Sequence, residues 1–181
     1  MYPNELTGTY TIDPAHSRFG FVARHAMVTR VRGSIPIHEA TAVLDAGDPS
    51  ASSVRVVLDV AGIETGNQNR DAHLRTGDFL DADGHPFITF GSTGVKHIGG
   101  DDFEVTGDLT IRGVSRQITV PLRYTGTAVD IQGLFRAGFE GDVVINRKDF
   151  GITYNAVLET GGVMVSERIT LEFDLSAVKN T

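Results

Sequence analysis

The 181-residue chain contains no cysteine and no tryptophan. Without cysteine, disulfides, thiolate zinc sites and thiol nucleophiles are excluded, although this absence does not choose between a reducing and an oxidising compartment. Basic residues are in deficit: 16 Lys and Arg against 23 Asp and Glu give a formal charge of −7. No Lys/Arg run offsets that average, so the sequence shows no electrostatic footprint for nucleic acid and argues against anionic membrane surfaces as partners. No apolar stretch approaches the about 20 residues of a membrane-spanning helix. The first residues, Met1 to Leu6, lack a basic region followed by an apolar run. A cytoplasmic location is therefore expected for the chain as written, and a periplasmic or secreted one if a leader has been removed. Also missing are a P-loop, a dinucleotide fingerprint, a calcium loop and the H-E-x-x-H spacing, so no cofactor and no metal are expected.

What is present is alternation. With 40% hydrophobic residues the chain is long and greasy enough to fold as one domain over residues 1–181. Phe103, Val105, Gly107, Leu109 and Ile111 alternate with polar residues, the signature of a strand with one wet face. After a turn at Gly113 to Arg116, Ile118, Val120, Leu122 and Tyr124 continue the pattern, so the two segments read as a hairpin, and Pro121 points to an edge or a bulge. Val54, Val56, Leu58 and Val60 share the period, as does a long run from Val163 to Leu175. In residues 31–44 the apolar parity switches from Ile35 and Ile37 to Ala40 and Ala42, which predicts a bulge near His38. Further strands fit residues 8–12, 18–26, 86–96 and 131–145, the last with a break at Gly141. Eight to ten antiparallel strands with one apolar face make an all-β protein, and periodicity alone leaves a barrel and a sandwich both open.

One polar island interrupts the strands. Thr65 with Gln68 reads as a capping box, Asp71 with Arg75 as an i,i+4 pair and Gly77 as a left-handed stop, predicting a short helix near residues 66–76. Only Ala72 and Leu74 are apolar within it, so polar contacts through Arg70, Asp71 and His73 should anchor it, as a solvated crossover or as a lid over a pocket.

Among residues that could carry chemistry, Asp13, His16 and Ser17 have the types of a hydrolytic triad, but the G-x-S-x-G elbow is absent and a local turn is the simpler reading. His25 ends the one-face run of Phe19, Phe21 and Ala23, either as a hydrogen-bonded core histidine or at the polar end of an apolar cavity. Glu167 places a carboxylate in the phase of Val165 and Ile169, where it must meet a partner such as Arg70 or Arg147, contact a ligand's polar end, or sit at a wet rim.

Taken together, Tyr10, Ile12, Asp13, His16, Ser17, Phe21 and His25, then Arg70, Asp71, His73 and Leu74 with Asp78 to Asp81, resemble the YceI-like family of bacterial polyisoprenoid-binding proteins. Residues 86–90, Gly107 to Gly113 and Asn146 to Gly151 follow in the family's order, so the resemblance covers nearly all of residues 7–178. It implies an extended, lipocalin-like antiparallel eight-stranded β-barrel around an apolar channel that holds a polyisoprenoid, an isoprenoid quinone or another long amphiphile for transport, storage or sequestration. No catalytic activity is implied. Phe19, Phe21, Leu58, Phe90, Leu109, Ile111, Phe139, Ile169 and Leu171 are the candidate wall, and His25, Arg70, Asp71, His73, Arg147 and Glu167 the candidate polar groups near a lid or head group. Gly33 and Gly107, on otherwise apolar faces, could leave room along the axis. Two rivals remain: an enzyme on a lipid-like substrate, with His16 or His73 as base and Asp71 orienting it, and a structural barrel with a filled core. An exposed edge and the general preference for two-fold assemblies leave room for a homodimer.

Overall fold

A computed structural model describes residues 3–159 and 162–181. Ten strands form one antiparallel sheet: β1 (Gly8–Ile12), β2 (Arg18–His25), β3 (Thr29–Ser34), β4 (Ile37–Leu44), β5 (Ser53–Asp59), β6 (Phe87–Gly99), β7 (Asp102–Ile111), β8 (Val114–Val129), β9 (Phe135–Asn146) and β10 (Arg168–Lys179). Neighbours run β4-β5-β6-β7-β8-β9-β10. β10 then pairs with β1 near its C-terminus and with β2 further back, while β4 pairs with β1 and β3 with β2. Thus β1 with β2, and β3 with β4, act as two interrupted strands, and the sheet closes as an eight-stranded barrel. Among the described residues closure leaves β3 with one side unpaired apart from the Ser34–Glu64 bridge.

The interruptions have local causes. Pro36 has no N–H to give to a ladder, and its carbonyl instead accepts from Asp59 N–H at 2.9 Å. The register between β4 and β5 shifts between Ile37 and Glu39, so the parity switch in the sequence marks a bulge at His38. Pro121 pairs with Glu104 of β7, whereas the β8–β9 ladder begins only at Arg123, so the proline occupies a stretch with one unpaired side. β7 and β8 join at Arg112 and Gly113, both at positive φ, a two-residue turn earlier than the alternation suggested. β9 starts at Phe135, not near residue 131, and runs through Gly141 unbroken because β10 pairs with it throughout. β10 begins at Arg168, so Val163 and Val165 belong to isolated bridges before it.

The turn at residues 13–17 is clipped to the barrel by Arg136. Its Nη1 donates to Asp13 Oδ2 at 2.8 Å and its Nε to Asp130 Oδ2 at 2.7 Å, tying the turn to the β8–β9 loop. With His16 Nδ1 also 2.7 Å away, the Asp13 carboxyl is held at about 2 instead of 3.8, chiefly by the Arg136 hydrogen bond. A carboxyl whose pKa is lower in the folded state stabilises the fold above its unfolded pKa and loses that contribution as pH falls through the folded one. Asp13→Asn is therefore expected to cost at most about 2 kcal/mol at neutral pH, less whatever solvent screening removes. Thermal melts should show the gap from the parent closing between pH 4 and pH 2; a gap that persists at pH 2 would assign the loss to something other than the charge.

Candidate ligand channel and the end that closes it

The inward residues of the strands surround an elongated cavity of about 210 Å³. At one end it reaches Leu6, Leu44, Asp45, Ala46, Pro49 and Ser52, and it runs inward to Leu58, Ile88 and Ile111. Phe19, Phe21, Leu58, Phe90, Leu109, Ile111, Phe139 and Leu171 line it; Ile169 packs against the core without lining the cavity. Phe103, Leu122, Tyr124, Phe173 and Leu175 belong to the same wall, in phase with faces already legible as apolar. Leu6 carries no periodic signal. It is placed by Tyr10, fully buried, whose hydroxyl donates to the Leu6 carbonyl at 2.7 Å.

Gly33 and Gly107 serve the channel differently from simple vacancy. A Cβ on Gly33 would collide with the Phe21 ring, and one on Gly107 with the Phe90 ring and the Gly91 carbonyl. Each glycine leaves the space where its side chain would stand to a neighbouring phenyl ring. The axis stays open because the rings have somewhere else to go.

The opposite end is plugged. Beyond Ile111 lie Val60, Ile63, Phe79, Phe150 and Ile152, all buried. The helix α1 (Gln68–Leu74) sits in the β5–β6 crossover on this side. Its N-cap is Asn67, accepting from Arg70 N–H, because the Thr65 hydroxyl is engaged by Asp71 at 2.5 Å. The Arg75 guanidinium reaches the carbonyls of Ala61 and Ile63 and not the Asp71 carboxylate, and Gly77 is not left-handed. Arg70 donates to the hydroxyl and carbonyl of Thr65, both at 2.7 Å. His73 contacts Asp78 through Nε2 at 2.8 Å and packs edge-on against Phe79 and Tyr154. Arg70, Asp71 and His73 hold the crossover together, and none of the three lines the channel.

Arg147, also assigned to a head group from sequence, is the clamp of this closed end. Only 4% exposed, it donates to the carbonyls of Ser166, Ile152, Tyr154 and Val165. Burial pulls its pKa down, and the charge of Glu167 partly offsets that. The guanidinium fork suits this task, since one side chain satisfies carbonyls from two stretches of backbone.

These features match those of known proteins. The description "YceI-like domain" fits residues 10–177. The chain belongs to the YceI-like family. A UPF0312 protein of Azotobacter vinelandii is 37% identical over 81% of this chain and 78% of its own length, and one from Staphylococcus aureus is 34% identical over 90% and 93%. Among solved structures, BcnA of Burkholderia cenocepacia superposes with a TM-score of 0.80 at 25% identity, covering 91% of this chain and 98% of its own. A polyisoprenoid binding domain from Saccharophagus degradans shares the fold with a TM-score of 0.70 at 15% identity, covering 94% and 98%.

In the YceI-like chain the remaining sequence candidates lie outside the channel. His25 is exposed at the end of β2, where it bridges Val165, and is neither a core histidine nor a channel terminus. Glu167 sits at the wet rim, where its direct ion pair is with Lys148 at 2.7 Å, and Arg147 acts on it through charge without an ion pair between the side chains. The Lys148 hydrogen bond holds its carboxyl below the usual range. The hydrolytic arrangement does not assemble: Ser17 Oγ bonds the backbone of Ser176 while His16 turns to Asp13. His73 and Asp71 likewise face different partners. Among the described residues no three His, Asp or Glu side chains converge as a metal site. Among the described residues no helix is long and apolar enough to cross a membrane.

Proposed function

We propose that this protein binds a long apolar ligand with a neutral polar head, such as an isoprenoid quinone or alcohol, for transport, storage or sequestration, and that it does so without chemistry on the ligand. One observation carries the reading: the cavity wall is almost wholly hydrocarbon, and among the described residues its single charged member is Asp45 and no Lys, Arg or His lines it. A phosphate head would enter without a cation to pair with and would meet a carboxylate at the rim. A neutral head can take hydrogen bonds there from Ser52 or Ser53. The Saccharophagus degradans domain, described as polyisoprenoid binding, supports cargo of this kind on this fold.

Size bounds the tail. An engineered cavity of about 150 Å³ holds one benzene, so 210 Å³ accommodates one or two isoprene units with the walls as they stand. Two units contribute roughly 8 kcal/mol gross at about 0.8 kcal/mol per carbon, which ordering and association costs reduce to weak binding. Longer tails require the phenyl rings to swing aside, and they repay it with further burial.

Native mass spectrometry of freshly purified protein, with organic extraction of whatever is released, tests this directly. A co-purifying or added isoprenoid quinone should be retained at least ten-fold more tightly than the polyprenyl phosphate of equal length. Preference for the phosphate would overturn the neutral-head reading, and failure to take up either would favour a filled structural barrel.

A further inference from the structure

The net charge of −7 hides a local reversal. β2 and β3 form a hairpin in which Arg24 stands directly opposite Arg30, on the outward face of the strands that point Phe21 inward. Like charges paired across strands destabilise a sheet. Arg32, one outward position along, reaches only Glu172 at 3.6 Å. Arg168 joins the group through the buried Ser166 hydroxyl, which accepts from Arg24 N–H and donates to the Arg168 carbonyl. Arg24, Arg30 and Arg168 are exposed, and among the described residues no carboxylate lies within 4.0 Å of them.

The tip of this hairpin is apolar where sequence rules call for something else. Ala26 and Met27 hold φ of 51° and 58° with Val28 N–H bonded to the His25 carbonyl, a turn for which Asn-Gly is the favoured pair. Met27 is 55% exposed and Val28 74%. Ala26 N–H bonds Met164, whose own N–H bonds Ala156, bringing the 84%-exposed Val157 to the same lip.

We infer that the β2–β3 hairpin is a docking element for an anionic lipid bilayer, with Arg24, Arg30, Arg32 and Arg168 meeting lipid head groups and Met27 and Val28 entering the interface. Charge complementarity selects an anionic partner, and relief of the Arg24–Arg30 repulsion adds to it. The apolar tip selects a bilayer over a soluble polyanion, because a polyanion offers Met27 and Val28 nothing to enter. The strained apolar turn and the opposed arginines both cost local stability, and one surface explains both.

Vesicle flotation tests the inference on ligand-free protein, and so independently of what the channel holds. Vesicles of equal parts phosphatidylglycerol and phosphatidylcholine should retain the protein at low salt and release it at high salt, while pure phosphatidylcholine should not retain it. Arg24→Gln with Arg30→Gln should weaken retention by about 25-fold, taking about five-fold per arginine, and should raise the melting temperature. Met27→Asn fits the positive φ and should keep or raise stability while weakening retention. Arg123→Gln, at the far end of the barrel, should change nothing. Absence of retention, retention indifferent to the arginine pair, or stronger capture on heparin or RNA that Met27→Asn leaves unchanged would each overturn the proposal.

Discussion

Arg147→Met should lower the stability of the fold by about 3 to 5 kcal/mol, the range for removing one side of a buried charged hydrogen-bond set. Methionine keeps much of the volume and none of the donors, so the carbonyls of Ile152, Tyr154, Val165 and Ser166 lose their shared partner in a place where Arg147 itself is 4% exposed. At about 2 to 4 °C per kcal/mol for a domain of this size, the melting temperature should fall by roughly 6 to 20 °C. Arg147→Lys should recover only part of the loss, because an ammonium cannot span carbonyls from two backbone stretches. Hydrogen exchange should show residues 152–159 and 162–166 opening before the barrel strands. A loss below about 1 kcal/mol would mean that water replaces the guanidinium and that the clamp is dispensable.

Leu109→Arg should abolish retention of an apolar ligand, with affinity falling by at least 100-fold. Leu109 is 5% exposed and faces the cavity beside Phe90. A guanidinium there either stays hydrated in space the tail would occupy or is stripped of water without a partner, which costs several kcal/mol. Leu109→Trp serves as the companion, filling the same space without charge. Native mass spectrometry on variants that keep their β-sheet circular dichroism reads the result. Undiminished retention in both would remove this stretch of β7 from the binding wall.

The candidate site was legible to the extent that it depends on alternation. Side chains on a strand repeat every two residues, so the sequence assigns Leu109 with Ile111, and Phe19 with Phe21, to one face and shows the His38 bulge as a change of phase. Polar residues carry no such period. Motif position and polar character are all that point Arg70, Asp71, His73 and Arg147 toward a lid or a ligand's head. The structure places all of them at the plugged end, bonded to their own loops. The cavity instead reaches the other end, where Asp45, Ser52 and Leu6 come from turns that no pattern singles out.

By itself, then, the order of residues determined the all-β class, the facing of nearly every strand and the hydrocarbon character of the interior, because those follow from near-neighbour spacing along one chain. Only the tertiary structure decided which end is sealed, which polar groups are already spent on backbone carbonyls, and that arginines scattered at positions 24, 30, 32 and 168 share one face in a chain of charge −7. Each of these depends on contacts between residues distant in sequence, set by register and closure, and no local periodicity encodes which strand end a given loop will cover.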